Sequence, residues 1–142
     1  MKSIYILIFA TLLPMAAKAQ DFAPLPADTV VLADQLYVKR PLVVFADSPN
    51  DPSFIRQMAL LSLAFKQLAD RDVILVTDTD PDANTEWRKK LRPNGFSLVI
   101  MDKDLRSVLR KPLPWDVREI TAAIDKLPLR RTEVLEQNPA GR

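Results

Sequence analysis

The stretch from Arg40 to Leu68, RPLVVFADSPNDPSFIRQMALLSLAFKQL, constrains the fold of this chain more than any other. Leu42, Val43, Val44, Phe45 and Ala46 run unbroken between Pro41 and Asp47, the pattern of a strand covered on both faces. The polar loop that follows ends in Asp51-Pro52, an acidic N-cap before the one residue that tolerates the first helical position without a donor, so a helix starts there. Phe54, Met58, Leu61, Phe65 and Leu68 then recur at alternating steps of four and three, which places them on one helical face directed at the core. Leu60 and Leu63 lie off that face, and the segment before the strand is expected to cover them. Asp70, Arg71 and Asp72 close the helix, and Val73, Ile74, Leu75, Val76 and Thr77 form a second continuous strand. Two buried strands joined by one long helix predict a parallel, right-handed βαβ unit.

The remainder of the pattern is shorter-range. A polar turn after Asp78 leads into a short helix from Thr85 to Leu91 with Trp87 and Leu91 as anchors, and Arg92-Pro93-Asn94-Gly95 breaks it. Phe96, Leu98 and Ile100 on one parity, with Val99 and Met101 on the other, predict a third strand. Asp102-Lys103-Asp104 turns it into a fourth around Arg106 to Arg110, making a hairpin. A last helix carries Val117, Ile120, Ile124 and Leu127 and stops at Pro128. The predicted architecture is α/β and thioredoxin-like: a central mixed four-stranded sheet, a parallel pair plus an antiparallel hairpin, with helices on both faces.

Ahead of this domain, Lys2, the apolar run Ile4 to Ala17 and the Ala17-Lys18-Ala19 site have the layout of a secretory leader. Residues 1–19 are therefore expected to be removed, with the protein exported to the periplasm or the extracellular space and no membrane span left after cleavage. The predicted division is a leader over 1–19, an extended lead-in over 20–35, the α/β domain over 36–131 and a polar tail over 132–142. Setting aside Lys2 and Lys18, the 20 basic and 18 acidic residues balance, which gives no support to nucleic acid as a partner. The clusters Asp78/Asp80/Asp82 and Arg88/Lys89/Lys90/Arg92 are read as solvated faces. The chain has no cysteine and no histidine. Thiol-disulfide exchange, thiolate peroxidase chemistry, His-activated nucleophiles and the common zinc sites are thereby excluded.

The candidate site lies at the carboxyl ends of the two parallel strands, where open α/β sheets place ligands. Asp47, Ser48, Asp51 and Ser53 follow the first strand, Asp78 and Asp80 follow the second, and Arg56 and Gln57 sit early in the long helix. A cation near a helix N-terminus opposes the helix dipole. Arg56 is therefore expected either to pair with Asp47, Asp51 or Asp78, or to help Ser48, Ser53 and the helix start hold a carboxylate or phosphate. Gln57, beside the apolar face, is expected to be half-buried and to hold loop backbone. The alternate spacing of Asp78, Asp80 and Asp82 resembles the start of a calcium loop, but Ala83 and Lys89 occupy the positions that need Gly and Glu. Turn and capping roles are the expectation, and no metal or other cofactor is called for. Trp115, among Arg110, Lys111 and Arg118, is read as the cover of a helix end.

The RPLVVFA strand with its Asp/Pro loop and IRQMALL, the GFSLVIMDKD hairpin and the closing IDKLPLRR together resemble a thioredoxin-like family of unknown function, over about Leu36 to Arg131. That family is found in exported bacterial proteins and, as a module, in sushi-repeat-containing extracellular matrix proteins. The resemblance implies a peroxiredoxin-related fold lacking the peroxidatic cysteine, and no established reaction. The loop after the first strand holds no CxxC, and Gly95 rather than proline immediately precedes the third strand. The function expected is an exported, non-redox thioredoxin-like binding or interaction module of unknown partner, either a protein or a small anionic ligand. The alternatives are a small-anion binder that uses Arg56 with the helix start, and an Asp-based hydrolase.

Overall fold

The structure is a computed structural model that describes residues 21–138. The expected leader and residues 139–142 lie outside the described residues. Five strands, β1 (Leu25–Pro26), β2 (Arg40–Phe45), β3 (Val73–Asp78), β4 (Ser97–Met101) and β5 (Ser107–Lys111), form one sheet in the order β1-β3-β2-β4-β5. β2 and β3 are parallel, and β4 is antiparallel to both β2 and β5.

Every residue of β2 is buried, and the period of two along the strands divides the core between two faces. Leu42, Val44, Leu75, Leu98 and Ile100 pack on one side with Leu61, Leu68, Ile120 and Ile124. Val43, Phe45, Val76, Val99 and Met101 pack on the other with Trp87 and Leu91. The first face is covered by α1 (Pro52–Ser62), α2 (Phe65–Ala69) and α4 (Val117–Asp125), the second by α3 (Glu86–Leu91) and the segment before β2. The final helix, α5 (Pro128–Gln137), has no buried residue. No helix of the described residues is long and apolar enough to cross a membrane.

A helix, α5, runs over Pro128–Gln137 where a polar tail was expected past Arg131, and three further details differ from the sequence expectation. The sheet has five strands rather than four, because part of the lead-in pairs with β3 through Leu25↔Val76 and Pro26↔Thr77. Pro26 has no N–H to give, which suits an edge strand. Ala27 and Val30, in the turns that follow, are buried. Secondly, the long helix is broken between α1 and α2. The Ser62 hydroxyl donates to the Ala59 carbonyl at 2.7 Å, the acceptor that the Leu63 N–H would use in a continuing helix. That N–H turns instead to Leu60 O at 3.4 Å. Thirdly, the lead-in does not cover Leu63, which is 84% exposed. Phe22 reaches Phe65 instead, with ring centroids 5.1 Å apart.

Candidate functional site

The carboxyl ends of β2 and β3 adjoin, with Phe45 opposite Asp78. The cation at this edge is Arg88, not Arg56. Arg88 Nε donates to Asp78 Oδ1 at 2.8 Å, and its Nη2 donates to Ala46 O at 2.7 Å and Asp78 O at 3.1 Å. Its guanidinium carbon lies 5.5 Å from the Phe45 ring centroid. Asp78 also accepts from the Asp80 N–H at 3.2 Å and from the Thr85 hydroxyl at 2.6 Å. Three hydrogen bonds engage both oxygens of Asp78, and its side chain is 2% exposed, so it offers little access for acid-base work on a solvent-borne substrate. Asp80 accepts from the Asp82 N–H, Ser48 Oγ from the Asn50 N–H, and Asp51 from the Ser53 N–H, all turn or cap geometries that satisfy local backbone. Asp47 lies exposed. A pocket of about 230 Å³ includes Asp78, Asp80 and Thr85 in its lining, but none of the other six candidate residues. Among the described residues no group of acidic side chains is arranged to hold a metal ion.

Arg56 and Gln57, neighbours in sequence, have opposite fates. Arg56 is exposed and forms no ion pair among the described residues. Gln57 is wholly buried, beyond the half-burial expected, and clamps the backbone of Trp115: its Nε2 donates to Trp115 O at 3.0 Å and its Oε1 accepts from Trp115 N at 2.7 Å. Gln57→Leu strands both backbone groups and is expected to lower the unfolding free energy by about 1–3 kcal/mol, whereas Arg56→Ala should stay within about 0.5 kcal/mol of the parent. Equal urea midpoints for the two variants would contradict this division.

The residues that sequence reasoning missed sit at the opposite end of the sheet. Arg40, at the start of β2, is 0% exposed. Its Nε donates to Asp102 Oδ1 at 3.1 Å, its Nη1 to Arg71 O at 2.9 Å, and its fork to both oxygens of Glu133 at 3.0 and 2.8 Å. Lys103 Nζ joins Asp72 at 2.8 Å and Glu133 at 2.7 Å. Arg130 lies 3.6 Å from Glu133 and 3.5 Å from Asp125, which Arg71 holds at 2.9 Å. Burial disfavours the Glu133 anion, but the hydrogen bonds and charges of Arg40 and then Lys103 prevail and lower its pKa from 4.5 to about 2. Burial likewise works against the Lys103 cation, and its bonds to Asp72 and Glu133 outweigh that to raise its pKa.

The depressed Glu133 value stabilises the fold by about 2–3 kcal/mol above the ordinary carboxyl pKa, and that contribution disappears as pH falls from about 4.5 through 2. The parent should therefore lose stability over this window faster than Glu133→Gln. A gap between the two that stays constant from pH 5 to pH 2 would rule out Glu133 as the source.

A third feature is apolar. Between β5 and α4 a groove of about 360 Å³ is lined by Ile100, Val108, Leu109, Trp115, Ala123 and Leu127 among others. Trp115 is half-buried, with Lys111 Nζ 4.7 Å from its ring centroid. This is where the Gln57 clamp acts, since it fixes the residue that forms one wall. Lys126 and Glu119 stand at the groove, whereas Arg110, next to Lys111 on β5, turns to the other face of the sheet and donates to the Leu91 carbonyl.

Fold and site together define a small α/β domain with a mixed five-stranded sheet, free of thiol and imidazole, whose polar strand-end loops are satisfied from within. Residues 31–133 match the family model described as a domain of unknown function (DUF4174), and the chain belongs to that family. No curated protein matches it.

Proposed function

We propose that this chain is an exported, thiol-free thioredoxin-like binding module that holds an extended segment of a partner protein along β5. The groove between β5 and α4 carries this reading. β5 is an edge strand, and an edge strand presents outward N–H and C=O groups to which another strand can add. A register shift between Ile100 and Met101 marks the beginning of β5, leaving Leu109 to Lys111 as the regular stretch for pairing. The apolar lining offers a seat for one large apolar side chain. Lys111 and Lys126 against Glu119 favour acidic flanks on that segment.

The strand-end loops, expected to be the interaction surface, bond mainly to themselves and to Arg88, which leaves the β5 groove as the better docking surface. The parallel pair, the antiparallel hairpin and helices on both faces support the thioredoxin-like assignment. Export rests on the leader pattern, and a mature N-terminus at Gln20 by sequencing of the secreted protein would test it.

Panning displayed random peptides on the immobilised protein tests the groove. Enriched sequences should combine one large apolar residue with acidic neighbours, perturb Trp115 fluorescence on binding, and lose binding to Ala123→Arg. Peptides that bind Ala123→Arg equally well, or no enrichment at all, would overturn the reading. The small-anion alternative has the exposed Arg56 in its favour. It would be supported by a phosphate- or carboxylate-dependent rise in melting temperature that Arg56→Ala abolishes.

A further inference from the structure

We propose that Arg40 and Lys103 form a carboxylate-binding socket, filled in this structure by Glu133, from which the carboxylate of an external ligand can displace α5. The site lies at the opposite end of β2 from the strand-end loops and apart from the β5 groove, so failure of peptide panning would leave it standing.

The socket is built. Arg40 is fully buried, and its Nη2 has Glu133 as its one hydrogen-bond partner among the described residues. Asp102 and the Arg71 carbonyl fix the other donors, so the fork keeps its aim whatever carboxylate sits before it. Lys103 Nζ converges on the same Glu133 oxygen from a second direction, anchored by Asp72. Two parallel N–H donors with an ammonium at the side match the two oxygens of a carboxylate.

The plug, by contrast, is lightly held. α5 contributes no buried residue to the core, and Val134 and Leu135 are exposed. A pocket of about 400 Å³ remains open between α5 and the Arg71–Asp125 pair. The helix follows α4 after Lys126 and Leu127 alone, and among the described residues no side chain caps its N-terminus. Hence the seat of α5 is largely electrostatic, with the Glu133 carboxylate making its closest contacts and Arg130–Asp125 at 3.5 Å beside it. Withdrawing that carboxylate strands a buried guanidinium, which is costly, whereas another carboxylate in its place keeps the guanidinium paired. The chemistry that can open this contact is therefore a carboxylate, supplied either by a small organic acid or by an acidic side chain.

The test uses the full chain carrying Glu133→Ala, with Glu133→Gln as a second variant that keeps the side chain's size. Sodium propionate is titrated against sodium chloride at matched ionic strength. Melting temperature and the Arg40 Nε–H resonance are followed together with binding of a labelled peptide copying Pro128–Gln137. Propionate at ten times its dissociation constant should raise the melting temperature of either variant by about 5 °C. It should also shift the Arg40 resonance saturably, and both effects should weaken when Lys103→Gln is added. A response to propionate identifies a socket for free carboxylates, and a response to the peptide alone identifies one for carboxylates on a chain. The parent should show the same Arg40 shift only at higher ligand concentration, because Glu133 competes; if neither ligand moves the Arg40 resonance in a folded variant, or if no concentration moves it in the parent, the proposal fails.

Discussion

Arg40→Met is expected to lower the unfolding free energy by about 3–5 kcal/mol, the range for removing one partner of a buried ion pair. Methionine matches the length of the arginine stem and fills much of its space, so packing is not the main loss. The loss comes from Asp102, 5% exposed at its side chain, and Glu133, 19% exposed, which keep their charges without the fork between them. Lysine does not repair this, because one ammonium cannot reach Asp102, the Arg71 carbonyl and both Glu133 oxygens that the guanidinium spans. Equilibrium urea unfolding of Arg40→Met and Arg40→Lys measures both effects. Combining Arg40→Met with Asp102→Leu and Glu133→Leu should recover most of the stability, because no carboxylate is then stranded. A single Arg40→Met variant within about 1 kcal/mol of the parent would show that the network contributes little.

Trp87→Ala is expected to cost about 3–5 kcal/mol, as for other fully buried aromatic residues. The effect should be asymmetric across the sheet. Three helices cover the Leu42 face, but the Phe45 face depends on α3, only six residues long, and on the lead-in. Trp87 joins these two covers, with its ring 0% exposed and its Nε1–H donating to Val30 O at 2.9 Å. Hydrogen exchange in Trp87→Ala should therefore rise first at Ala27 to Val30 and around β1, ahead of the β2–β4 pairing. Trp87→Phe keeps most of the apolar volume and loses the N–H bond, so it should fall between the two. Uniform loss of protection across both faces would argue against Trp87 as the joint.

Much of this fold was legible because β2, β3 and β4 are largely continuous apolar runs, and a period of two assigns their residues to faces without further information. The helix-face residues Leu61, Leu68, Ile120 and Ile124 were legible for the same reason at a period of 3.6. β1 was not, since two residues including a proline carry no periodic signal. Nor was the break after Ser62, where a serine acts through a single hydroxyl bond and neither Gly nor Pro marks the place. At the strand ends, Arg56 drew attention because its position opposes the helix dipole. Arg88, inside a basic run that reads as a solvated face, is the arginine that α3 turns under the loops. The Arg40 network was half-legible. Parallel β2 and β3 begin at the edge where antiparallel β4 ends, so topology alone gathers Arg40, Arg71, Asp72, Asp102 and Lys103 there. Glu133 was invisible, because a polar stretch without an apolar face gives no reason to dock.

Arg40 and Glu133 stand 93 positions apart. At translation speeds of about 5–20 residues per second, the arginine waits on the order of 5–20 s for its carboxylate after leaving the peptidyl-transferase centre. During that interval the rest of the sheet can assemble around a guanidinium that has Asp102 but not yet the Glu133 carboxylate on its fork. A chain that stops before Glu133 keeps the fork half-satisfied and is expected to be cleared by proteases sooner than the finished chain. Pulse-chase lifetimes of chains ending just before and just after α5 would reveal it, and equal lifetimes would dismiss it.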